Sequence, residues 1–283
     1  MIFRIVLQHI CIIIILTSCA SVSQRVEYAD KLANEAGFEK VIVATSPFRL
    51  LAYQRISRPG ATIVIYIEGD GLAFTQANSV SLNPTPVNPI ALKLALMDDS
   101  ENVIYLARPC QYFTSGEDTA CHSEYWTSRR YAPEVIESIN TAIGYFKTRS
   151  NLVGIRLVGY SGGGTVAAIV AAGRTDVIDL RTIAGNLDIN AFTSYHNVTP
   201  LSGSINPVDF ATELSTVPQV HYYGAEDDVI PDVIRESYTT AISKFDPQNS
   251  CITLQRVAGV SHFEGWEGVW QRYLHRKGEC RKH

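Results

Sequence analysis

Residues 155–174 read IRLVGYSGGGTVAAIVAAGR: an apolar run, a break at Gly159-Tyr160-Ser161-Gly162-Gly163, then an Ala-rich stretch of helical character. A strand, a Gly-x-Ser-x-Gly turn and a helix are the context in which that short motif carries meaning. Such a turn forces its central residue into strained backbone angles, and glycines two positions to either side let neighbouring elements come close. Ser161 is then expected to project its hydroxyl from the strand's C-terminal end. The following helix aims its first N–H groups and its positive dipole end at the same place. Alone, the motif also fits a glycine-rich turn in an unrelated strand–helix unit. A phosphate-cradling loop fits poorly, because neither a Gly-Lys-Ser/Thr ending nor Gly-x-Gly-x-x-Gly is present.

Working outward, residues 48–57 alternate as a half-exposed strand does, whereas 62–69, TIVIYIEG, and 102–107, NVIYLA, are continuously apolar. Residues 133–147 carry a helical stripe of Val135, Ile136, Ile139, Ile143 and Phe146. Further strands are expected at 180–185, 218–224 and 251–257, with helices at 165–172 and 233–245. Strands alternating with helices imply an α/β fold, a mostly parallel sheet covered on both faces. No repeat or composition break divides it, so 41–283 reads as one domain. Residues 186–217 form the longest insert between strands, either a small cap or a plain surface loop.

A serine needs a base to take its proton and an acid to orient that base. Asp227, in YYGAEDDVIP, and His262, in VAGVSHFEGW, both follow expected strands, so both belong at the sheet edge that carries Ser161. His196 and His221 precede the acid and fit the order poorly. Asp188, in GNLD, also follows a strand end and is the alternative acid; Asp228 adjoins Asp227. The order Ser161, Asp227, His262 is that of the α/β-hydrolase triad.

On these residues the chain from about 48 to 270 resembles the α/β-hydrolase fold. YIEGDG, PTPVNPIALKLA, YLARPCQY, GYSGGG and AGNLD together resemble a family of proteobacterial α/β-hydrolase-like lipoproteins. The superfamily resemblance implies an oxyanion hole built from the Gly162 N–H and, from the loop after 62–69, the Asp70 N–H. It implies no substrate. That loop reads Glu68-Gly69-Asp70-Gly71, with Glu68 where hydrolases often carry histidine. Two inward, ionised and unpartnered carboxylates would oppose the reaction. Either they are structural, with Arg108 one partner, or they line the pocket and select a cationic or hydroxyl-rich substrate. Strongly acidic substrates are disfavoured in both cases.

The start of the chain differs in character. Residues 5–16, IVLQHICIIIIL, form an apolar run too short to span a bilayer and suited to a signal peptide (1–18). The LTSC that ends it resembles the lipobox of bacterial lipoproteins, which implies lipidation of Cys19 and a tether over 19–40; an ordinary cleaved signal is the alternative. Ala20 in place of aspartate points to the outer membrane. With Cys11 removed, Cys110, Cys121, Cys251 and Cys280 remain, an even number in an exported chain. Of three connectivities, Cys110 with Cys121 and Cys251 with Cys280 are favoured.

The 283 residues carry 24 Lys+Arg against 28 Asp+Glu, with no basic run, which argues against nucleic acid as a partner. No metal-ligand spacing occurs, and neither metal nor organic cofactor is expected. The reading is an envelope serine hydrolase acting on an ester or thioester of a small acyl substrate, bilayer-anchored through its N-terminus. An amidase or peptidase uses the same residues. A non-catalytic binding scaffold is the rival from another class.

Overall fold

The computed structural model describes residues 20–114 and 116–281. The expected signal segment and Cys19 lie outside the described residues. In chain order the elements are α1 (Val22–Glu35), β1 (Glu39–Ala44), β2 (Arg49–Ile56), β3 (Ile63–Ile67), β4 (Phe74–Gln76), β5 (Ser79–Val80), α2 (Ile90–Leu96), β6 (Asn102–Leu106), α3 (Pro133–Arg149), β7 (Ile155–Tyr160), α4 (Gly162–Ala172), β8 (Val177–Ile183), α5 (Ile189–Tyr195), α6 (Ala211–Leu214), β9 (Gln219–Gly224), α7 (Asp232–Ser243), β10 (Ile252–Val257) and α8 (Trp266–Val269). Eight strands form one sheet in the order β1-β2-β6-β3-β7-β8-β9-β10, while β4 and β5 make a separate hairpin. From β6 to β10 neighbouring strands run parallel; β2 runs antiparallel to both β1 and β6.

The central strands β3 and β6 are buried along their whole length, as continuous apolar runs require when helices cover both faces. Two apolar clusters lie on the two faces. One joins α3 and α4 to Ile65, Leu106 and Leu157; the other joins α1 and α2 to Tyr66, Tyr105 and Trp270. Proline at the first turn of α3 costs no hydrogen bond, and Val135, Ile139, Ile143 and Phe146 all face inward.

Residues 20–40, read from the sequence as tether, contain α1 and the start of β1. Ser21 caps α1 reciprocally with Gln24, and Ala29 and Ala33 are buried against the domain. Small alanines on one face let that helix pack closely although its overall composition is polar. Disulfides join Cys110 to Cys121 and Cys251 to Cys280. The first closes a loop beyond β6, and the second ties the C-terminal tail to the start of β10.

Candidate active site

Parallel strands place their C-terminal ends at one edge of the sheet, and the candidate residues follow four such ends. Glu68 and Asp70 come after β3, Ser161 after β7, Asp227 after β9 and His262 after β10. Between β7 and α4 the chain turns so sharply that Ser161 takes φ 49° and ψ −119°. Backbone strain of this kind costs on the order of 1–3 kcal/mol and persists only where the surroundings enforce it. Close packing of the turn against β3 and α4, which the flanking glycines permit, enforces it here. A Cβ at Gly159 would come within 2.3 Å of the Gly163 carbonyl oxygen, and one at Gly163 within 2.2 Å of that of Ile67.

His262 Nε2 lies 3.0 Å from Ser161 Oγ, and His262 Nδ1 lies 3.0 Å from Asp227 Oδ2. With the Nδ1 proton directed at Asp227, Nε2 is left to accept from the serine hydroxyl. The Asp227 carboxylate also accepts from the N–H groups of Val229 and Ile230, at 2.9 and 2.8 Å, which locks its orientation. The carbonyl of His262 is held by the Tyr160 hydroxyl at 3.0 Å and the Trp266 indole N–H at 3.2 Å.

The alternatives are occupied elsewhere. Asp188 caps α5 by accepting from the N–H groups of Asn190 and Ala191, and it also bonds Asn206 and Ser237. It makes no contact with His262; its place after a strand end reflects helix capping. Asp228 is exposed. His196 bonds the Val229 carbonyl, and His221 sits within the sheet between Thr182 and Gln219, where burial pushes its imidazole down to about 3.

Both carboxylates of the 68–71 loop border the cavity, and both are partnered. Arg130 Nη1 donates to Asp70 Oδ2 at 2.7 Å, Arg108 Nη1 donates to Oδ1 at 3.3 Å, and the Tyr131 hydroxyl adds a bond of 3.0 Å. Burial works to raise this carboxyl, but Arg130 and Arg108 outweigh it and hold Asp70 below its usual range. Glu68 has no cation among these partners. Its oxygens accept from the Gly69 N–H at 2.9 Å, the Ala91 N–H at 3.4 Å and the Tyr105 hydroxyl at 3.2 Å. Burial dominates, partly offset by those bonds, and Glu68 is pushed up to about 7.

Gly71 makes the tight loop possible: its φ is +67°, and a Cβ there would lie 1.9 Å from the Pro84 carbonyl oxygen. Gln111 clamps the loop by donating to the Gly69 carbonyl at 2.9 Å. The Gly162 N–H opens α4 and has no acceptor within the helix. The Asp70 N–H donates to no acceptor among the described residues.

The cavity beside Ser161 holds about 550 Å³. Its walls include Leu72, Ala73, Phe74 and Val87 from the β3–α2 connection, and Val229 and Ile230 from the acid loop. The insert at 186–217 supplies only Asn186 and Phe192; Leu187, Ile189, Ala211 and Leu214 pack into the core. The insert therefore contributes little to the lining, and the β3–α2 connection contributes more, through residues 71–74, 86–88 and, opening α2, 90. Arg130, Tyr131 and Phe192 carry no motif that marks them in the sequence, and Tyr160 occupies an unspecified position of the Gly-x-Ser-x-Gly turn.

No protein-family model and no curated protein matches the chain in sequence. Solved structures match it in shape. An esterase from Pyrococcus furiosus superposes with a TM-score of 0.58 at 12% identity, over 86% of this chain and 90% of that one. An alpha-beta serine hydrolase homologue from Coxiella burnetii gives 0.55 at 16%, over 83% and 93%. The acylaminoacyl peptidase of Pyrococcus horikoshii gives 0.59 at 11%, over 87% of this chain and 42% of that longer one. Sheet order, crossover pattern and these superpositions agree, and the chain has the α/β-hydrolase fold.

Proposed function

We propose that the protein is a serine hydrolase that cleaves an ester or thioester through an acyl-enzyme. The observation that carries this reading is the run of contacts from a strained Ser161 to His262 and on to Asp227, at 3.0 Å each. Ser161 Oγ attacks the carbonyl carbon as His262 takes its proton. The resulting imidazolium is stabilised by Asp227, and the N–H groups of Gly162 and Asp70 hold the oxyanion. His262 then delivers the proton to the leaving group. Water enters, loses a proton to His262 and adds to the acyl carbon; the bond to Ser161 Oγ then breaks, His262 returns the proton to Oγ and the acid leaves. The esterase and serine hydrolase homologue of like shape support this class of reaction.

The acidic loop argues less for a scaffold once its partners are known. Asp70 is neutralised by two guanidinium groups, and Glu68, pushed up to about 7 by burial, is uncharged below that pH and opposes charge developing on the substrate only as it ionises. The same pairing removes the sequence argument against acidic substrates. Residues 1–18 act as signal peptide, Cys19 carries the lipid, and the domain is held at the bacterial envelope, at the outer membrane.

A fluorophosphonate probe tests the chemistry. Labelling is expected for the parent protein and for Asp188→Ala, and is expected to vanish in Ser161→Ala and His262→Ala. Persistent labelling of Ser161→Ala, or none of a folded parent, would overturn the assignment.

A further inference from the structure

We infer that the edge of the molecule that carries the site lies against a lipid bilayer and that the substrate is an acyl lipid drawn from it. The inference deepens the hydrolase reading and rests on it for the chemistry. Its first support is the connection from β3 to α2. Residues 72–89 contain no Asp, Glu, Lys or Arg, although 18% of the chain is charged, and 18% of eighteen residues is about three. Four of its apolar side chains are exposed, while Ala73, Pro84, Pro86 and Pro89 are buried and anchor it. Leu82 is 97% accessible, Val87 56%, Val80 45% and Phe74 39%; Phe263, which follows β10 and also lines the cavity, is 61% accessible. Phe74, Val87 and Phe263 belong both to this rim and to the cavity wall, so the outer apolar surface runs directly into the site.

The second support is where the chain enters the domain. Arg25, one turn into α1, donates to the Thr85 carbonyl, and Pro86 and Val87 next in sequence line the cavity. The start of α1 is about 5 Å from Arg25 along the helix axis. Ser21 caps that end, and Cys19 stands two residues earlier. A lipid on Cys19 therefore brings the bilayer to the same edge as the uncharged loop and the cavity mouth. Burying that loop in an interface removes apolar area from water without desolvating a charge, whereas a charged rim would resist it.

The cavity suits the proposed ligand. Leu72, Ile90, Phe192 and Ile230 offer an apolar channel for an acyl chain beside Ser161. The ester C–O bond breaks, the deacylated alcohol leaves with the proton that His262 took from Ser161, and water releases the carboxylic acid. The chain end stays near lipid throughout, so it is never exposed to bulk water.

The full-length protein is reconstituted in vesicles of phosphatidylethanolamine and phosphatidylglycerol carrying brominated acyl chains. A Leu82→Trp variant is compared with Val153→Trp, an exposed position ahead of β7 at the opposite sheet edge. Strong quenching at position 82 and little at 153 is expected; equal quenching, or none at 82, overturns the orientation. A Val80→Asp/Leu82→Asp variant is then assayed on a long-chain ester in the vesicles and on a dissolved short-chain ester. Loss of about tenfold or more is expected on the vesicle substrate alone. Equal effects on both substrates, or none on either, overturn the bilayer as source. Inactivity of the parent on both esters overturns the substrate together with the hydrolase reading, while quenching still decides the orientation.

Discussion

Two clusters of one aspartate and two arginines stand at opposite edges of the sheet, and they behave differently. At the site edge Asp70 is met by Arg130 at 2.7 Å and Arg108 at 3.3 Å, and its carboxyl is held low. At the other edge Asp179 lies 3.0 Å from Arg156 and 3.5 Å from Arg181, yet burial pushes its carboxyl up. Composition and distance are similar, so the cause is geometry. Asp70 accepts aligned hydrogen bonds from both guanidinium groups and from Tyr131, whereas neither oxygen of Asp179 receives one from the described residues. Proximity alone returns too little of the desolvation cost; directed hydrogen bonds return it. The Asp70 cluster also fixes the loop that borders the cavity beside Ser161, whereas the Asp179 cluster does not border it.

Breaking one cation in each cluster tests this contrast most strongly. Arg108→Ala is expected to lower kcat by about tenfold to a hundredfold, because Asp70 loses a brace and its N–H shifts. The same change is expected to destabilise the fold by about 3–5 kcal/mol, since it leaves buried groups unpartnered. Arg156→Ala is expected to cost about 1–2 kcal/mol, because neither oxygen of Asp179 receives a hydrogen bond from it, and to leave kcat within about twofold. Urea unfolding and steady-state rates measure both. Equal costs for the two variants would mean that hydrogen-bond geometry does not separate the clusters.

Within the site edge, Glu68 sharpens the comparison as a carboxyl without a cation. Its value rises from 4.5 to about 7 on folding. The native state therefore holds a proton that the unfolded chain has lost, so this group's contribution to stability falls as pH rises from about 4.5 to 7 and is level above that. The full effect is on the order of 3 kcal/mol. Glu68→Gln keeps an acceptor for the Gly69 and Ala91 N–H groups and removes the titration. Its stability is expected to gain on that of the parent between pH 5 and pH 8. Parallel stability profiles across that range would show that Glu68 keeps an ordinary value.

Much of this was legible in the sequence because parallel sheets are written plainly. Residues 62–69 and 102–107 are too continuously apolar to be anything but buried strands or helices, and their length decides for strands. Ser161, Asp227 and His262 could be picked because each follows a strand end, a position that topology turns into proximity. Other features had no local mark. The β1 strand, EKVIVA, falls partly within the segment its sequence marks as tether, because it is an exposed edge with one buried side chain, Val43. The β4–β5 hairpin is too short to show a period. Arg130 and Tyr131 lie sixty residues from Asp70, and only packing brings them to it. Asp188 resembled an acid because strand ends and helix caps occupy the same position in a β–α connection.

The smallest expected effect concerns the cleft at the non-site edge. That cleft holds about 720 Å³, more than the cavity beside Ser161, and is bordered by Arg58, Glu101, Arg156, Arg181 and Lys277. Size alone would make it the better site. Arg58 Nη1 and Glu101 Oε1 approach to 3.0 Å there, but the two side chains are 69% and 53% exposed, so water and salt screen the pair. The turn beneath them is held independently, by the Arg58 N–H on Asn102 Oδ1 and by the Ser57 N–H on the Glu101 carbonyl. A double-mutant cycle of Arg58→Ala and Glu101→Ala is therefore expected to give a coupling below about 0.5 kcal/mol. Hydrolysis is expected to be unchanged in all three variants. A loss of activity would mean that the two edges communicate through the sheet, and that the charged cleft belongs to the function rather than to the solvated surface.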